Sequence, residues 1–246
     1  MTYARRETIA PGEVGIYHCV TRCVRRAFLC GADPLTGKNF DHRKNWVRER
    51  LEVLAGIFGI EVCGYAAMSN HLHVVLRSRP DLARGWTDVE VAARWLRLFP
   101  KRRKDGTAAP PKEQEIASLA ANTERCAICR VRLSNISWFM RCLSEPIARR
   151  ANREDGCRGR FFEGRFRCQM LLDDAAVLAC SLYVDLNPIR AGIAETPEES
   201  KFTSAYDRIQ GLGASTQSAS ELNASNQDDW LCVLPLVETD SSVTQA

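Results

Sequence analysis

The chain has 246 residues, 45% of them apolar and 26% charged, and a formal net charge of +4. That length suits one sizeable core with an insertion and a tail, and the composition is ordinary for a soluble globular protein. No apolar run is long enough to cross a bilayer, and Met1-Thr2-Tyr3-Ala4-Arg5-Arg6-Glu7 lacks the apolar stretch of a secretion signal, so a cytoplasmic location with no membrane partner is expected.

In chain order, Val14 to Cys23 is rich in β-formers and predicts a first strand, its exit running to Leu29. Gly31 to Asn39, with Pro34 and Gly37, reads as a loop. Asp41 is placed to cap a helix whose apolar positions (Trp46, Val47, Leu51, Leu54, Ile57, Phe58) recur at helical spacing up to Gly59. Glu61 to Met68 and His71 to Ser78 predict two further strands around a tight break at Ser69-Asn70. The order so far, β-α-β-β, is that of a ferredoxin-like fold. Residues 80–130 read as an insertion, with a helix from Asp88 to Phe99, a basic loop at Lys101-Arg102-Arg103-Lys104, and a short helix from Glu113 to Asn122.

Ile136 to Arg153 is strongly helical, with Phe139, Met140, Leu143, Ile147 and Ala151 on one face and basic residues on the other. Phe161 to Leu172 alternates as a last strand, Gly164 marking a bulge. Asp173 or Asp174 caps a final helix from Ala175 to Leu186, stopped by Pro188. The expected class is α+β: a ferredoxin-like β-α-β-β-α-β-α arrangement with one antiparallel sheet, a helical insertion and a C-terminal tail. Residues 1–194 make the domain and 195–246 an acidic, partly disordered tail. Within that tail, Leu212 to Asp229 reads as disordered or linker and Trp230 to Val237 as an apolar patch able to dock on the body.

Charge is unevenly divided. From Glu195 onward there are nine acidic residues against Lys201 and Arg208, whereas the stretch from Arg125 to Arg167 holds eleven arginines against four acidic residues. A basic body suits a polyanion, and the interleaving of these arginines with Trp138, Phe139, Phe161, Phe162 and Phe166 favours nucleic acid. Eleven cysteines without a secretion signal are expected to be reduced. Cys126-Ala127-Ile128-Cys129 is the one zinc-like spacing, and no second pair lies near it, so unrelated thiols are the preferred reading over a structural zinc.

Two of the four histidines lie in Ser69-Asn70-His71-Leu72-His73-Val74-Val75-Leu76. On a strand, His71 and His73 share one face and Leu72 takes the other. Such a pair is either a satisfied structural pair or two ligands for one metal ion. His18, on the first strand, is structural or close to that face, and His42 is expected at the surface. Tyr183 and Asn187 sit one helical turn apart near the end of the last helix. Each has a plain alternative: Tyr183 as a core residue amid Leu178, Leu182 and Leu186, and Asn187 as a C-terminal cap before Pro188.

Three ordered segments together resemble a known family. Tyr65 to Leu76 is similar to the HUH block (His, bulky apolar, His) of single-tyrosine transposases. Gly159-Arg160-Phe161-Phe162-Glu163-Gly164-Arg165-Phe166 is similar to their G-x-x-F/W-x-G-R strand. Ser181 to Gly192, containing Asn187-Pro188-Ile189-Arg190-Ala191-Gly192, is similar to their tyrosine helix and its N-P-[VI]-R-A-G end. This is the pattern of IS200-like transposases, in particular the REP-associated tyrosine transposases, and it spans residues 13–193 apart from the insertion. The resemblance implies an enzyme that cuts and rejoins single-stranded DNA at hairpin or palindromic ends, with Tyr183 as nucleophile and a 5′-phosphotyrosine intermediate. It further implies a divalent metal (Mg or Mn) held by His71, His73 and Asn187, and a homodimer. Tyr206 is the fallback nucleophile. Arg158, Arg160, Arg165 and Arg167 are the expected DNA contacts. The rival is a nucleic-acid-binding protein that keeps the fold without cleaving. No GxxxxGK[ST] loop is present, which suits chemistry that conserves bond energy in a covalent phosphotyrosine.

Overall fold

The computed structural model describes residues 9, 12–24, 28–105, 107–217 and 230–232. Four strands, β1 (Gly15–Arg22), β2 (Ile60–Ala67), β3 (His71–Ser78) and β4 (Arg167–Leu171), form one sheet in the order β2-β3-β1-β4. Every neighbouring pair is antiparallel. This is the strand order of a ferredoxin-like α+β fold, as the β-α-β-β reading predicts. Among the described residues nine helices accompany it: α1 (His42–Ala55), α2 (Pro80–Gly85), α3 (Asp88–Leu98), α4 (Glu113–Ala120), α5 (Thr123–Leu133), α6 (Ile136–Glu154), α7 (Asp174–Asp185), α8 (Asn187–Arg190) and α9 (Ser204–Gln217).

Alternation along the strands builds two cores, one on each side of the sheet. Tyr17, Cys19, Leu72, Val74 and Leu76 point to one side and are covered by Val47, Leu51 and Leu54 of α1 and by Phe139, Leu143 and Ile147 of α6. On the other side a smaller cluster of Cys63, Ala66, Met68 and Val75 packs under Val177 and Val184 of α7. The larger core also holds a fully buried guanidinium. Arg43 of α1 donates to Glu154 Oε2 at 2.8 Å, to the Phe28 carbonyl at 2.8 Å, and to Asp155, so its charge is paired and hydrogen-bonded as burial demands. It thereby ties α1 to the end of α6.

The insertion is a helical block, α2 to α5, fastened to the body by Arg94, which donates to the Gly56 and Ile57 carbonyls at 3.1 and 3.0 Å, and held together internally by Arg130. Arg130 donates to the Ala83 carbonyl at 2.8 Å, to the Trp86 carbonyl at 2.5 Å and to Asp88 Oδ1 at 2.6 Å. Thr87 starts α3 with a capping box closed by Glu90. Helices α2 and α5 are absent from the sequence reading: α2 has only six residues, and in α5 the exposed Ile128 and Val131 blur the stripe made by Cys126, Cys129 and Leu133. Cys126 and Cys129 both lie buried in the larger core, with Cys126 Sγ 3.4 Å from Asp88 Oδ1.

Several local expectations need correction. Asp41 precedes α1, but it is already helical and its side chain makes no capping bond; its Oδ1 instead pairs with Lys44 Nζ at 2.7 Å. The cap of α7 is as expected, and of its two candidates it is Asp173 that accepts from the Ala176 amide, at 2.7 Å. Pro188 does not end the helical path but sits in the first turn of α8, where its missing N–H costs nothing. The last strand is confined to Arg167–Leu171. Gly159 and Gly164, at φ of 106° and 105°, bend the preceding stretch out of the sheet, leaving one isolated bridge from Phe162 to Cys23.

Part of the acidic tail folds onto the body. Ser204 Oγ accepts from the Tyr65 amide at 3.0 Å and donates to Asp185 Oδ1 at 2.5 Å. Asp207 accepts from the Tyr65 hydroxyl at 2.6 Å and from Arg48 Nε at 3.1 Å. Further on, Leu231 bridges Val62 in parallel, Trp230 packs 5.5 Å from the Tyr65 ring, and Cys232 Sγ lies 3.1 Å from Cys63 Sγ. The rest of the expected linker and apolar patch, residues 218–229 and 233–237, lies outside the described residues.

Candidate active site

The sheet face beneath α7 is where the candidate residues meet. On β3, His71 lies opposite Arg22 and His73 opposite Val20; on β1, His18 lies opposite Val75 and Gln169. Directly opposed residues of antiparallel strands share a face, so His18, His71, His73, Arg22 and Arg167 are all set on this side. Leu72, between the two histidines, is buried in the opposite core. The strict alternation read from the sequence therefore holds.

His73 is the hub. Its Nδ1 is 2.9 Å from His18 Nε2 and its Nε2 is 3.2 Å from Asn187 Nδ2. The His73 ring stacks on His18 at 5.1 Å, meets His71 edge-on at 4.8 Å and meets Tyr183 edge-on at 5.6 Å. His18 also reaches Tyr183, at 6.2 Å. Two strands, one helix and the turn after it thus bring His18, His71, His73, Tyr183 and Asn187 together. The ring contacts around His73 come from Tyr183, not Tyr206, which lies on α9 beside the β2 edge.

Proton positions follow from the partners. An Asn Nδ2 group only donates, so His73 Nε2 accepts from Asn187 and His73 Nδ1 carries the hydrogen that points at His18 Nε2. Asn70 Oδ1 only accepts, so His71 donates to it from Nδ1 at 2.7 Å and keeps a lone pair on Nε2. All three imidazoles are held neutral. Burial lowers the His18 pKa; burial and then the Arg22 charge lower that of His71. For His73, burial followed by repulsion from His18 and His71 brings the value down to about 3.

Tyr183 is 41% exposed, because α7 buries Val177, Ser181 and Val184 against the sheet and turns the tyrosine edge toward solvent. The alternative of a core tyrosine is thereby removed; Leu178, Leu182 and Leu186, its expected core neighbours, are exposed as well. Asn187 is not a C-terminal cap: Leu186 occupies that position, and the Asn187 side chain turns to His73.

Around this centre the charge is positive. The Arg190 guanidinium lies 5.4 Å from the Tyr183 ring, and Arg22 is opposite His71. Of the four arginines expected to contact DNA, Arg167 is on the site face of β4, in register with Val20, so that β1 lies between it and His73. Arg158, Arg160 and Arg165 are exposed on the segment joining α6 to β4. None of the four makes an ion pair among the described residues. His18, read as structural or close to this face, is on it; Arg22 and Arg190 are residues of the site that the sequence reading missed. Only strand register places Arg22, although Arg190 stands within the Asn-Pro-Ile-Arg-Ala-Gly signature. His42 is at the surface, paired with Glu154 at 2.7 Å.

The donor set can be tested against a metal. Neutral imidazoles offer lone pairs, and a His71 whose Nδ1–H is fixed by Asn70 is oriented as a ligand would be. Against this, both nitrogens of His73 are engaged by side chains. No group of three or more His, Cys, Asp or Glu among the described residues is arranged to hold an ion. Two histidines and an amide match a divalent ion in donor type alone: as placed, Asn187 presents Nδ2 to His73, and only a turned amide would offer Oδ1.

No family model matches the chain, and no curated protein matches it. Among solved structures the chain is similar to a REP-associated tyrosine transposase bound to a REP hairpin. The two share 12% identity over 86% of this chain and 88% of that one, with a TM-score of 0.47.

Proposed function

We propose that this chain is a single-tyrosine transposase of the HUH type, cutting and rejoining single-stranded DNA at hairpin or palindromic ends. The observation that carries the reading is the meeting of Tyr183 with His71, His73 and Asn187 at one point. Two sequence segments more than a hundred residues apart supply them, and a structural histidine pair has no need of an exposed tyrosine beside it.

In this reading the Tyr183 hydroxyl attacks the scissile phosphorus in line. A tyrosine–phosphate bond forms, the bond to the 3′ oxygen breaks, and a free 3′-hydroxyl leaves while the 5′-phosphate stays on the protein. Attack by a 3′-hydroxyl reverses the step, so no nucleotide cofactor is consumed. Arg190, Arg22 and Arg167 place positive charge where the phosphate would lie and favour its developing negative charge. His71, His73 and Asn187 would hold a magnesium or manganese ion, which supplies Lewis-acid polarisation of the phosphate oxygens when bound. His18 holds His73 in the tautomer that leaves Nε2 as a lone-pair donor.

A second reading, a protein that binds nucleic acid on this fold without cleaving it, is favoured by one observation: His73 already has both ring nitrogens bonded. One experiment separates the two. The protein is incubated with labelled hairpin single strands and Mg²⁺ or Mn²⁺, and a denaturant-resistant adduct is sought. The enzyme reading expects an adduct that disappears in Tyr183→Phe and persists in Tyr206→Phe. Binding without an adduct, on hairpins taken from the flanking palindromes of the gene, selects the second reading.

A further inference from the structure

The insertion carries a feature that the site above does not use. Trp95 of α3 packs 5.6 Å from Trp138 of α6 and 5.1 Å from Phe99, giving a row of three aromatic rings. Over this row lie two guanidinium groups. Arg132 of α5 is 4.5 Å from the Trp138 ring and 5.8 Å from Trp95, and Arg141 is 5.2 Å from Trp138. Beside them runs an open groove of about 460 Å³ lined by Ala127, Ile128, Val131, Arg132, Asn135 and Trp138. Its apolar floor is uncovered: Ile128 is 44% and Val131 67% exposed.

A stacked arginine on a helix surface is common and by itself signifies little. Three further facts distinguish this one. The aromatic row is half-open, with Phe99 51% exposed. Arg132 makes no ion pair among the described residues, and Arg141, though paired with Glu145, keeps a side chain 63% exposed. Directly after Phe99 and Pro100 the chain runs into Lys101-Arg102-Arg103-Lys104, of which Lys101 pairs with Glu115, while Arg103 and Lys104 make no ion pair among the described residues. Flat rings, a guanidinium plane and an apolar floor suit a nucleobase; the surplus positive charge suits the phosphates on either side of it.

We infer that this groove between α5 and α6 is a second nucleic-acid contact, which stacks a base of a single strand against Trp138 and Arg132 while the strand's phosphates meet the basic residues nearby. The inference rests on the reading of the chain as a protein acting on single-stranded DNA, but it concerns non-covalent holding and not cleavage. The insertion then serves to grip the strand away from the reacting phosphate.

The test uses the full chain carrying Tyr183→Phe, so that no covalent capture interferes, and an end-labelled single strand of mixed sequence followed by fluorescence anisotropy. Arg132→Ala removes the guanidinium plane against which the base stacks and is expected to weaken binding roughly tenfold. Trp138→Phe keeps an aromatic ring and is expected to weaken binding by a smaller factor, about threefold, with the salt slope unchanged. Far-ultraviolet circular dichroism confirms that both variants fold. A strand carrying 5-bromouracil is further expected to photo-cross-link to the peptide containing Trp138. Binding equal to the parent in both variants, or cross-links mapping only to other peptides, overturns the groove. The active-site reading is scored apart from this, by adduct formation in chains that keep Tyr183. An adduct with silent groove variants removes the groove alone, and a groove effect without any adduct removes the cleavage reading alone.

Discussion

The two faces of the sheet are built from the same strands and end in opposite conditions. On β3, Leu72, Val74 and Leu76 enter a dry core beneath two long helices, α1 and α6. His71 and His73, one residue out of phase, enter the opposite side, where, among the described residues, α7 is the helix that packs across β2, β3 and β4 and leaves Tyr183 at an open edge. Coverage makes the difference. Two helices exclude water and suit aliphatic side chains. One helix leaves a margin where imidazoles are desolvated enough to stay neutral, yet remain reachable by a ligand. Stability is therefore expected to reside on one face and chemistry on the other.

That division can be broken in graded ways. The largest effect is expected at Arg43, whose truncation empties a fully buried site in the larger core and leaves the Phe28 carbonyl without its donor. Arg43→Ala should cost about 3–5 kcal/mol in urea unfolding. Leu72→Ala follows, at about 2–5 kcal/mol, for the lost burial and the cavity left behind. Neither variant should stop adduct formation under conditions where it stays folded. A site-face change with as large a stability loss, for example in Tyr183→Phe, would dissolve the distinction.

Protonation sharpens it further. Folded His73 titrates near 3 against an ordinary 6.5, so an unfolded chain takes up a proton that the folded chain refuses across that interval. The stabilising contribution of neutral His73 is complete above pH 6.5 and declines as pH falls toward 3, by at most about 1.4 kcal/mol per pH unit. His18 and His71, also lowered, act in the same direction. Urea midpoints measured from pH 7 to 4 should fall, and His73→Gln should flatten that fall; an identical slope in the variant would place the acid sensitivity elsewhere. The smallest effect is expected away from both faces. Thr87→Ala removes the cap of α3 and should cost about 1 kcal/mol by thermal unfolding, with no change in adduct yield.

How far the sequence went follows the range of the interactions involved. Alternation at His71-Leu72-His73 is a property of neighbouring residues, and so was readable, as were the strand order and the helix bearing Tyr183. His18 was left as structural or close to that face, because its bond to His73 depends on how β1 and β3 align. Phe161 to Phe166 alternates like a strand, yet two glycines with positive φ take it off the sheet. Asp41 looked like a cap but bonds Lys44 instead, a competition between side-chain and backbone partners that composition does not settle. In the tail, Ser204 and Asp207 are polar residues that reveal themselves as anchors only when Tyr65, Asp185 and Arg48 are brought to them.

The same tail has a consequence for how the protein behaves in concentrated solution. β2 is the outermost strand on its side of the sheet and is almost wholly buried. An unprotected strand of this kind pairs readily with another copy. Here its rim is occupied twice: Phe202 and Thr203 meet Ala67 and Ala66 at one end, and Leu231 and Cys232 meet Val62 at the other. The tail thus acts as a guard against edge-to-edge self-association. Shortening the chain after Gln217 would keep every residue of the candidate centre while uncovering Val62 and the Tyr65 ring, so a loss of solubility, not of chemistry, is the first change to look for.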